Sequence, residues 1–121
     1  MRTKKIHIPI YEFNVFLYQL EDVEDADAIT RELKKFKIVE MIQETVENLT
    51  DDVLEGGYTC FNGAAKEAVV VLYPTEGGEV YESTLDHEKR HVVDHVLDWV
   101  GVHDYEAAAY LSGWLTTKFK V

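Results

Sequence analysis

Residues 87–91 read His-Glu-Lys-Arg-His. On an α-helix, side chains four apart in sequence stand one turn apart on the same face. His87 and His91 can therefore aim two ring nitrogens at one cation, and Glu88, one step round the helix, can reach a water on that cation. The chemistry open to such a group is metal-assisted hydrolysis, in which the cation acidifies water and polarises a carbonyl while the carboxylate takes the proton. Two imidazoles, joined by a further carboxylate ligand and with a position left open, suit zinc among the common divalent ions. The competing explanation is a solvated helix face that happens to carry histidines. Against it, three of the chain's five histidines (His87, His91 and His95) fall within nine residues.

These residues need a helix to carry them. Leu85, Val92, Val96 and Trp99 recur on one side of a helical wheel, widened by Val93, Leu97 and Val100, while His87, His91, Asp94 and Asp98 fall on the other. Ser83 or Thr84 can cap this helix, Ser83 with Asp86 resembling a capping box, and Gly101 is a natural stop. A site with two histidines calls for a third protein ligand and keeps a position open for water. The next helix, from Tyr105 to about Thr117 with Asp104 as its cap, offers Glu106 for that role, and Ala107, Ala108 and Ala109 allow close helix packing. Trp99 and Trp114 suit packing between these two helices. Asp94, on the histidine face, is either an acceptor for the second ring N–H of a ligand histidine or a surface carboxylate. Tyr110, one turn beyond Glu106, either orients that carboxylate or is a core tyrosine.

Upstream, alternation from Lys5 to Leu20 predicts strand, with Pro9 marking an edge, a bend or a break into two. The acidic run 21–27 leads into one broken helix or two short ones between about Asp25 and Leu49. Gly56-Gly57 interrupts that pattern. Tyr58 to Asn62 and Ala68 to Tyr73 read as a β-hairpin, and Val69-Val70-Val71-Leu72 is apolar on both faces, as a covered strand must be. Pro74 ends it. The order β-α-β-β-α-α predicts an α+β fold with a small β-sheet, a single domain over residues 1–121.

The motif HEKRH, the short connection between helices and the Glu of YEAAAYLSGWL together resemble a gluzincin-type metallopeptidase. Within that group they are most similar to the minimal zincin-like domains encoded in bacteria and their phages. The resemblance spans about residues 84–115. It implies a minimal zincin-like fold, Zn2+ held by His87, His91 and Glu106, Glu88 as the general base, and a peptide or protein substrate. It also implies that the strand before the motif helix, Ala68 to Tyr73, pairs with the substrate chain. The chain departs from larger relatives in being too short for the second subdomain that walls their cleft.

Acidic residues outnumber basic ones 23 to 12, for a net charge of −11, which argues against binding a phosphate backbone. Cys60 is the only cysteine, so there is no disulfide framework and no cysteine-rich metal site. The N-terminus makes a poor signal peptide, and no apolar run reaches the length of a membrane span. The expectation is a cytoplasmic protein that binds neither nucleic acid nor membrane. Two other functions compete with a zinc peptidase: a non-catalytic zincin-fold module, and an acidic interaction protein that binds or inhibits a partner.

Overall fold

The strand Glu67–Leu72 (β4) is almost wholly apolar (EAVVVL) because it is covered on both faces. Ala68, Val70 and Leu72 point into one hydrophobic cluster, and Val69 and Val71 into a second on the other side of the sheet. Each of the four Val and Leu side chains, fully buried, stabilises the fold by about 1.5–3 kcal/mol, so this strand anchors both layers. A computed structural model describes residues 1–22, 25–36, 57–73 and 78–119. These residues form a small α+β fold, and among them there are one mixed four-stranded sheet and three helices.

The sheet order is β1-β2-β4-β3. β1 (Arg2–Ile8) and β2 (Phe13–Gln19) form an antiparallel hairpin in register Ile6↔Val15. Pro9 sits in the turn between them, so the amino-terminal pattern is two strands. The turn closes with the Glu12 N–H donating to the Ile8 carbonyl at 2.9 Å, and Glu12 adopts φ 58°. β2 runs parallel to β4. β3 (Gly57–Asn62) pairs antiparallel with β4 through the turn 63–66, as the hairpin pattern predicts. Among the described residues β1 and β3 are therefore the sheet edges.

Helix α1 (Asp25–Leu33) seals one face of the sheet with Ile29 and Leu33. The apolar set from Ile38 to Leu49 lies outside the described residues. The other face carries α2 (Gly78–Val100) and α3 (Tyr105–Lys118). Leu85, Val92, Val93, Val96 and Leu97 of α2 are buried against Val70, Leu72, Leu111 and Leu115. Trp99, expected in that stripe, and Val100, expected to widen it, are exposed. Trp99 lies against the β3–β4 turn instead of between the helices, for a Cβ added to Gly63 would meet its ring at 2.3 Å.

The motif helix begins earlier than Ser83, which lies inside it together with Thr84. Nothing in GEVYESTL breaks a helix, and Ser or Thr is only a weak stop signal where the upstream chain can continue the turn. Its end is where the sequence places it. Gly101 takes φ 75°, the Gly101 N–H reaches the Asp98 carbonyl at 3.2 Å, and the Val102 N–H reaches the Leu97 carbonyl at 2.9 Å. That pair of bonds is a Schellman cap. Asp104 then caps α3, its carboxylate accepting from the Glu106 N–H at 2.9 Å.

Candidate metal centre

Helical geometry brings His87 and His91 together. Their Nε2 atoms lie 3.0 Å apart, with the rings nearly perpendicular at 85°. Two ligands at zinc–nitrogen distance and tetrahedral angle stand about 3.4 Å apart, so this spacing suits one shared ion. Both histidines are exposed, but Glu88 is buried, only 4 % of its surface being accessible. One donor atom from each of His87, Glu88 and His91 falls within 4.8 Å of the others. The donor set therefore fits a small divalent cation.

Burial of Glu88 comes from its neighbours on the edge strand. The Thr59 hydroxyl donates to Glu88 Oε2 at 2.5 Å. A buried carboxylate needs such partners, because desolvation without them costs several kcal/mol, of the order of 5. Gly57 adds room: a Cβ there would stand 2.9 Å from Glu88 Cγ. β3 and α2 thus meet closely, and they line a cleft of about 300 Å³ with Gly57, Tyr58, Thr59, His87, Glu88, His91 and His95. His95, one turn beyond His91, stacks on Phe61 of β3 at 5.1 Å and 13°, and Phe61 in turn stacks on Phe13 at 5.4 Å. Across the sheet, Tyr73 is buried in the layer under α1, and among the described residues its hydroxyl has no hydrogen-bond partner. Burial first, then the charges of Cys60 and Glu88, pushes the Tyr73 phenol up to about 12.

The structure does not bring every expected residue here. Glu106 is exposed in the first turn of α3 and does not join the histidine–glutamate group. The helix register explains its absence. Lys89, inside the motif, donates from Nζ to Thr116 Oγ1 at 2.8 Å, so α3 passes the motif at its carboxyl-terminal end. Glu106 lies ten residues earlier, about 15 Å along the axis at 1.5 Å per residue. Asp94 is exposed and pairs with Arg90 at 3.0 Å, the surface alternative of its two roles. Tyr110 is neither core nor beside the motif. It is 77 % exposed and borders an apolar cavity with Pro9, Ile10 and Trp114. β4, expected beside the substrate, is an inner strand, and β3 is the strand that reaches the cleft.

Thr59, Gly57 and Phe61 are the site residues that pattern reading missed. A threonine in a strand carries no signal of its own, and Gly56-Gly57 reads equally as a loop. Compared with protein-family models, with curated proteins and with solved structures, the chain matches none.

Proposed function

We propose that the protein is a zinc-dependent hydrolase of peptide bonds, with His87 and His91 holding the ion and Glu88 acting as general base. The observation that supports this most is the pairing of a buried, oriented Glu88 with two convergent exposed imidazoles at the mouth of a cleft. Zinc in such a setting supplies a Lewis acid that polarises a carbonyl and acidifies water. Glu88 contributes the proton acceptor: with Oε2 engaged by Thr59, Oε1 remains to take a proton from the attacking water and return it to the leaving amine. Among the described residues β3 is a sheet edge beside these groups, where an extended peptide can add as a further strand. The peptide or protein substrate, a cytoplasmic location and the minimal zincin-like fold belong to the same proposal. Among the described residues no helix is long and apolar enough to cross a membrane.

The donor set itself favours a second reading. Glu88 lies close enough to both histidines to be a ligand, which would make a closed, non-catalytic site that stabilises the fold. Glu88→Gln separates the two. For a base, zinc content stays near one per chain while cleavage of a quenched fluorogenic peptide library falls about 100-fold or more. For a ligand, the substitution releases zinc together with any activity.

A further inference from the structure

We propose that Thr59 is a positioning residue that fixes the Glu88 carboxylate over the histidine pair, so that the edge strand sets the orientation of the base. The inference rests on the hydrolase reading for its catalytic consequence, though not for the link itself. Two independent observations carry it. Thr59 Oγ1 lies 2.5 Å from Glu88 Oε2, a contact between residues 29 apart in sequence that ties β3 to α2. The backbone two residues earlier is Gly57, whose missing side chain leaves the space that Glu88 Cγ approaches.

A carboxylate alone on a helix can swing between rotamers and offer either oxygen to the cleft. Here Gly57 lets the stem lie flat against β3, and the Thr59 hydroxyl then holds Oε2. The stem is confined on one side and one oxygen is occupied, so a single orientation of Oε1 remains. A charge-assisted hydrogen bond of this kind is about twice as strong as a neutral one, and at 4 % exposure water competes poorly for it. Misplacement of a base by about 1 Å can cost on the order of 100-fold in rate. Thr59 touches neither substrate nor ion in this role and works entirely through Glu88.

The test uses the whole chain with Thr59→Val, which keeps shape and removes the hydroxyl, and Thr59→Ser, which keeps the hydroxyl. The first readout is the Tm of zinc-free protein. Thr59→Val is expected to lower it by several degrees when Glu88 is present and by less than a third of that in a Glu88→Ala background. The second is hydrolysis of the fluorogenic peptide that zinc-loaded wild type cleaves best. Thr59→Val is expected to lower kcat about tenfold or more, with KM and zinc content within about twofold, and Thr59→Ser to recover kcat to within about threefold. Equal Tm losses in both backgrounds overturn the link. Equal kcat for Val and Ser variants overturns the positioning role. If wild type cleaves no peptide, the hydrolase reading fails, and the Tm comparison alone still decides whether Thr59 holds Glu88.

Discussion

Glu88 is the residue on which the site turns, because among the described residues it is the one charged group of the motif helix that is buried. Its two histidine neighbours are where HExxH spacing puts them, since the α-helical repeat alone decides that. Its partners on β3 were not legible, because contacts 29 and 31 residues away depend on how a strand and a helix approach, and no local pattern encodes that. The approach at Gly57 gives a direct prediction. Gly57→Ala places a methyl 2.9 Å from Glu88 Cγ and 3.1 Å from the Val71 carbonyl oxygen. Overpacking of this kind costs about 1–3 kcal/mol, to be read from the urea midpoint at constant m-value. Truncating Glu88 to Ala in the same chain should recover part of that loss and leave the part due to the Val71 carbonyl.

At the scale of elements, what was readable was what short-range physics fixes. The apolar stripe of α2 apart from Trp99 and Val100, the Gly101 stop, the Asp104 cap and the β3–β4 hairpin all follow from spacing and local backbone preference. The parallel pairing of β2 with β4 did not, since strand order is set by which apolar faces find each other after the helices are placed. The same limit defeated Glu106. A ligand beginning the next helix is chemically apt, but the α2–α3 connection and the Lys89–Thr116 contact set an antiparallel register that carries it away from the motif. The Schellman turn that starts this register can be tested alone. Gly101 has φ 75° and open space around its Cα, so Gly101→Ala introduces backbone strain without a clash. The expected loss is about 1 kcal/mol by chemical denaturation, with zinc binding unchanged.

For the whole molecule, two apolar layers flank one sheet, and the polar surface carries a net charge of −11. The layer under α1 holds two tyrosines that report on global stability. Burial, then the charge and hydrogen bond of Glu32, raises Tyr18 to about 12, and burial chiefly does the same for Tyr73. The folded state keeps both phenols protonated between pH 10 and 12 while the unfolded state releases those protons. The unfolded state then binds fewer protons, so stability falls as pH rises through that window. Absorbance at 295 nm should show Tyr18 and Tyr73 ionising late, in step with loss of near-ultraviolet dichroism.

If His87 and His91 hold a zinc ion, the metal content of the purified protein must show it. Protein purified without a metal-affinity tag would be analysed by elemental mass spectrometry, as wild type and as His91→Ala, after zinc is offered at neutral pH and excess is removed. About one zinc per wild-type chain is expected, lost in the variant, with a Tm that rises on zinc addition for wild type only. Wild type that retains no zinc, or His91→Ala that retains as much as wild type, would contradict it and leave HEKRH as a polar helix face.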